Sequence, residues 1–109
     1  MTSSSGRWKT TTVLLDVSQE RGRQNARWGE QNHPDGSGHW SYAELANGFR
    51  KYADEVAARG QLTWTDILRE EVYEALAESD PVKLREELIQ VAAVAVAWVE
   101  AIDRRTDDS

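Results

Sequence analysis

The chain has 109 residues, a single-domain length, with no cysteine and a net charge of -6 from 13 Lys+Arg against 19 Asp+Glu. Without cysteine there is no disulfide scaffold, no Cys-ligated zinc site and no thiol nucleophile. The acidic balance argues against nucleic-acid partners, because a protein binds phosphate backbones through basic surface that releases counterions. The longest apolar stretch, Leu88 to Val99, is 12 residues long and contains Gln90, against about 20 for a membrane span. No secretory signal is present in Met1 to Gly6. The expectation is a cytoplasmic protein with no membrane partner.

In chain order, residues 1–10 read as a flexible tail of small polar residues, 11–105 as one helical domain and 106–109 as a second tail. The first helix is expected from Val13 to about Arg27. QNHPDGSG, residues 31–38, is a loop dense in turn formers. Ser41 and Glu44 fit a capping box, Ser-x-x-Glu, for a second helix from Tyr42 to about Arg59 that stops at Gly60. Thr63 caps the third helix, with Asp66 at its third position. Trp64, Ile67, Leu68, Val72, Ala75 and Leu76 recur there at helical spacing. Ser79-Asp80-Pro81 breaks the pattern and restarts it, Asp80 as N-cap and Pro81 in the first turn. The fourth helix should then run to about Arg104. No strand alternation is visible, so the fold class is all-α, a small bundle of about four helices around an antiparallel hairpin of the last two.

The apolar residues of LIQVAAVAVAWV cover nearly the whole circumference of that fourth helix. A helix apolar all round is buried on every side. A chain this short has little material to surround one of its own helices, so the expected cover is another copy of the chain, in a dimer or tetramer. The alternative is an internal helix of a monomeric bundle.

The third helix carries Glu71 and Glu74, and the fourth carries Glu87 and Gln90. Residues three apart project roughly 60° from one another on the same side of a helix. The pairs 71/90 and 74/87 share the midpoint 80.5, which falls at the Asp80-Pro81 turn. An antiparallel hairpin would therefore set the two pairs face to face. Helix axes about 8–10 Å apart leave room for four such side chains to converge on one divalent cation. Carboxylates brought together repel unless a cation compensates. Mg²⁺, or Mn²⁺ in its place, suits hard oxygen ligands shared with phosphates. Gln90, the only polar residue in its apolar run, is expected to be buried and partnered. The competing reading is a solvated face of Glu/Arg pairs.

Leu68-Arg-Glu-Glu-Val-Tyr-Glu-Ala-Leu76 followed by Leu84-Arg-Glu-Glu-Leu-Ile-Gln90 resembles the MazG-like, all-α nucleoside triphosphate pyrophosphohydrolases. Their metal signature is Glu-x-x-Glu on one helix and Glu-x-x-Asp on the next. Arg27-Trp-Gly-Glu-Gln-Asn-His-Pro-Asp35 also resembles the N-terminal region of short actinobacterial and phage members. The resemblance spans roughly residues 13–105 and is strongest over 64–105. It implies Mg²⁺-dependent hydrolysis of a nucleoside triphosphate to the monophosphate and pyrophosphate. Glu71, Glu74, Glu87 and Gln90 would hold the metal, and Glu70 or Glu71 would orient or deprotonate the attacking water. The family's last Asp is Gln90 here, which removes one negative charge. The alternative is a catalytically weakened oligomeric module that binds a nucleotide or a protein.

Trp28, Arg27 and Arg23 are the candidate substrate contacts, the indole as a stacking face and the guanidinium groups for phosphate. Trp40 and Trp64 offer further aromatic faces. His33 and His39, without cysteine, make a weak zinc pattern. Glu100 and Asp103 form another Glu-x-x-Asp, read as a solvated helix end.

Overall fold

A computed structural model describes residues 9–108, with the side chains of 107 and 108 left out. Four helices account for most of them, and no strand occurs among the described residues: α1 (Thr10–Trp28), α2 (Trp40–Ala58), α3 (Trp64–Ala77) and α4 (Pro81–Asp108). The expected first tail lies outside the described residues up to position 8. At the other end α4 continues through Asp108, so residues 106–108 are helix, not tail. Arg105 in its last turn complements the negative end of the helix dipole. No helix among the described residues is long and apolar enough to cross a membrane.

The chain divides into two compact units. One holds residues up to Pro34 together with those from Val96 onward; the other is Asp35–Ala95. In the first unit, α1 buries only Val13, while Leu14, Leu15 and Val17 stay exposed. Thr10 Oγ1 donates to Glu100 Oε2 at 2.7 Å, and Arg104 stands 4.0 Å from the same carboxylate. Glu100 and Asp103 are half-buried, not a solvated helix end as the sequence suggested. Gly29, at φ 68°, ends α1 by donating to Asn25 O.

In the second unit, α2 starts two residues earlier than expected. His39 is its N-cap: the Nδ1 atom accepts from the Ser41 backbone N–H at 3.2 Å and meets the Ser41 hydroxyl at 2.7 Å. Ser41 therefore sits inside the first turn and is not the cap, because an imidazole nitrogen two residues back already takes its N–H. Gly60, at φ 70°, ends α2, with Gln61 N donating to Val56 O. The Thr63–Asp66 capping box forms as the sequence requires. Asp66 N donates to Thr63 Oγ1 and Thr63 N donates to Asp66 Oδ2. The Thr63 hydroxyl, the backbone N–H and Arg69 hold the Asp66 carboxyl below the usual range.

α2 packs on α3 through small residues, Ala46, Ala53 and Val56 against Ala75, which let the backbones approach. Tyr73 lies across this seam, 5.0 Å from Phe49 and 6.4 Å from Tyr42 between ring centroids. The Arg69 guanidinium sits 4.2 Å over Phe49. The loop before α2 docks on the far end of α3, where Gly38 N donates to Leu76 O at 2.8 Å. Gly38 has φ 93°, and a Cβ there would come within 2.7 Å of Ser79 Cβ. The hairpin turn is built as expected. Asp80 is the cap, its carboxylate accepting from Val82 N and its carbonyl from Leu84 N, and Pro81 is the first helical residue.

Candidate metal centre

The capping box fixes where α3 begins, and the α2 packing fixes which way it faces. Arg69, Val72, Tyr73 and Ala75 bear on the aromatic seam or the core. Glu70, Glu71 and Glu74 then fall together, all half-buried, each with a carboxylate oxygen within 4.8 Å of the others. Burial and mutual repulsion raise two of these groups. Glu71 lies above the usual carboxylate range first because of desolvation, then through Glu74, Glu70 and Glu87, with Arg50 opposing. Glu70 is raised by desolvation and by Glu74 and Asp54. Like charges on one helix face in partial burial favour the protonated form.

Arg50 is the one cation that reaches this cluster in the described contacts. Its Nη2 donates to Glu74 Oε1 at 2.9 Å and its Nη1 to Asn47 Oδ1 at 3.2 Å. The bond to Glu74 raises the guanidinium's own affinity for its proton. Arg50, Asn47, Glu74 and Glu87 line a cleft of about 270 Å³ floored by Ala43, Ala46 and Ala77. Sequence reading missed Arg50 and Asn47. Their signal was an Asn-x-x-Arg step on the helix that packs against the acidic one.

Of the four metal ligands expected, Glu71 and Glu74 are brought together, with Glu70 as their third member. Glu87 stands outside that tight group but lines Glu74's cleft and feels Glu71's charge. Gln90 departs from expectation: it is exposed, not buried. The reason is the stripe that α4 turns inward, Leu84, Glu87, Val91 and Val94, which are buried or half-buried at three- and four-residue steps. Gln90 falls beside that stripe, so the polar group in the apolar run keeps its access to water.

Arg23, Arg27 and Trp28 belong to the first unit, the acidic residues to the second. Arg27 stacks 4.7 Å over the exposed Trp28 ring, and Arg23 pairs with Glu20 at 2.8 Å. Together with Gln24 and Gln31 they line an open concavity of about 460 Å³. Trp40 is exposed and Trp64 half-buried. His39 is occupied as a helix cap and His33 bonds Gln31, so neither histidine joins an acidic group.

No family model matches the chain, and neither a curated protein nor a solved structure matches it.

Proposed function

We propose that this protein is a Mg²⁺-dependent nucleoside triphosphate pyrophosphohydrolase of MazG-like type, with Mn²⁺ able to replace Mg²⁺. One observation carries the reading: Glu70, Glu71 and Glu74 converge within 4.8 Å in partial burial, with Glu87 beside them. Half-buried carboxylates that raise one another's pKa are a standing cost to the fold, and a divalent cation removes it. The donor set is all oxygen, which fits Mg²⁺. A bound cation would neutralise charge on the triphosphate and on the leaving pyrophosphate. Glu71, Glu74 and Glu87 are the residues that would hold it. Glu70, held above the ordinary carboxylate range first by desolvation, is with Glu71 a candidate to take a proton from the attacking water.

The experiment is pyrophosphate release over a panel of canonical and modified nucleoside triphosphates, with and without Mg²⁺. Release that requires Mg²⁺ and falls at least tenfold in Glu71→Gln supports the reading. No release from any nucleotide, with no calorimetric heat of Mg²⁺ binding, overturns it. A second reading is favoured by Gln90, which brings no charge where the family has Asp: a weakened module that binds nucleotide without turning it over. Mg²⁺ and nucleotide binding without release would select it, and Gln90→Asp would then be expected to gain activity.

A further inference from the structure

Arg50 and Glu74 are bonded to each other but unequally held. The Arg50 Nη2 atom donates to Glu74 Oε1 at 2.9 Å, yet the arginine side chain is 49% exposed and the glutamate side chain 23%. The guanidinium is therefore the partner with room to move. Glu74 is also one of three carboxylates crowded within 4.8 Å of one another. Its charge is thus claimed twice, by Arg50 from α2 and by any cation that the acidic group takes. The two claims conflict, because positive charges beside one carboxylate repel, and more strongly where water is partly excluded.

The cleft around the pair shows what Arg50 could turn to. It measures about 270 Å³, and Arg50, Asn47, Glu74 and Glu87 stand over a floor of three alanines. Ligand pockets usually hold about 300–1,000 Å³, so this one suits the phosphate end of a ligand and not its base. No aromatic ring lines it. Its donors are the Arg50 fork and the Asn47 amide. Asn47 holds Arg50 through its Oδ1 atom at 3.2 Å, which leaves its amide N–H groups as donors. A guanidinium fork matches phosphoryl oxygens as well as it matches a carboxylate. Glu74 and Glu87, however, repel a bare phosphate. The cleft therefore admits one only after its acidic wall is neutralised.

We infer that Arg50 is an exchangeable counter-ion, bonded to Glu74 in the empty site and turned, with Asn47, onto the phosphate end of the ligand once Glu74 is given over to a divalent cation. The inference rests on the proposed reading of the acidic group as a metal centre, and adds an order of binding to it. Arg50 stabilises the site before loading, resists the cation alone, and favours the cation and a phosphate together. By linkage, each ligand then strengthens the other.

Titration calorimetry of the full chain with Mg²⁺ alone and with preformed magnesium pyrophosphate tests it. Arg50→Gln should tighten Mg²⁺ alone about threefold and weaken magnesium pyrophosphate about tenfold, within the usual range of coupling between sites. Arg50→Lys keeps the charge and loses the fork, so it should leave Mg²⁺ near the wild-type affinity and still weaken magnesium pyrophosphate. Lys51→Gln removes the same charge from the neighbouring exposed position and should change neither. Circular dichroism checks that each variant stays helical. Equal weakening of both ligands by Arg50→Gln overturns the inference and leaves Arg50 a structural partner of Glu74. So does pyrophosphate that binds the wild type as tightly without Mg²⁺ as with it. Absence of Mg²⁺ binding in both wild type and Arg50→Gln overturns the metal reading itself, and this inference with it.

Discussion

α3 and α4 invert the usual relation between composition and burial. α3 is rich in charge, yet only Thr65 of its residues is exposed. α4 holds the most apolar run in the chain, yet Leu88 and Ile89 are more than half exposed. The difference is position. α3 is capped at both ends and held by α2 and the Gly38 loop, so even its glutamates lose water. From Pro81 to Ala95, α4 offers one stripe to its unit, and Leu88 and Ile89 lie outside it in solvent. Composition says which surface wants burial; the number of neighbours decides which surface gets it.

The strongest challenge to this contrast is the inward stripe of α4. Leu84 is 8% exposed, and Leu84→Ala should cost about 3 kcal/mol in urea unfolding, the transfer loss plus the cavity. A cost below about 1 kcal/mol would mean that α4 is poorly anchored even on its inner face. Gly38→Ala comes next, at about 2 kcal/mol, because it meets both a positive φ and Ser79. Gly48→Ala, mid-helix in α2 with open space around it, should instead stabilise by about 0.5–1 kcal/mol. If the two glycines respond alike, the loop is not clamping α3.

Thr63→Ala should cost about 1 kcal/mol by removing the α3 cap. It should also flatten the acid limb of the stability profile. The folded Asp66 pKa is depressed, so its contribution is present above the unfolded pKa and is lost as pH falls through the folded one. Without the Thr63 hydroxyl, that pH-dependent loss shrinks. The smallest effect is expected for Glu71→Gln, a rise in Tm of about 2 °C at neutral pH without metal. Here the sign is opposite. The folded Glu71 pKa is raised, so stability is fullest below the unfolded pKa and is lost as pH rises through the folded value. The gap between variant and wild type should therefore close on acidification. Added Mg²⁺ should raise the Tm of the wild type more than that of Glu71→Gln. Equal responses would return the glutamates to a merely crowded helix face.

Local chemistry was legible where it is self-contained. The Thr63–Asp66 box, the Gly60 stop and the Asp80-Pro81 restart depend on residues within a few positions of one another, and each forms as the sequence requires. The His39 cap was hidden because an imidazole nitrogen substitutes for a hydroxyl oxygen two residues from the obvious Ser41. The mirrored spacing about the turn placed Glu87 near Glu71 and Glu74, since an antiparallel hairpin fixes register arithmetically. It could not say that Glu70 completes the tight group and that Gln90 stays in water. Those depend on the rotation of each helix about its axis, which is set by what packs on it: the aromatic seam for α3, and Leu84, Val91 and Val94 for α4. Arg50 was invisible for the same reason, because its meeting with Glu74 is an event between helices. The sequence by itself determined four helices and the ends that rest on local signals, at Gly60, Thr63 and Asp80-Pro81, because those signals act over a single turn. Only the tertiary structure decided which glutamates converge and which apolar surface stays open, because burial is a property of neighbours and not of the residue that seeks it.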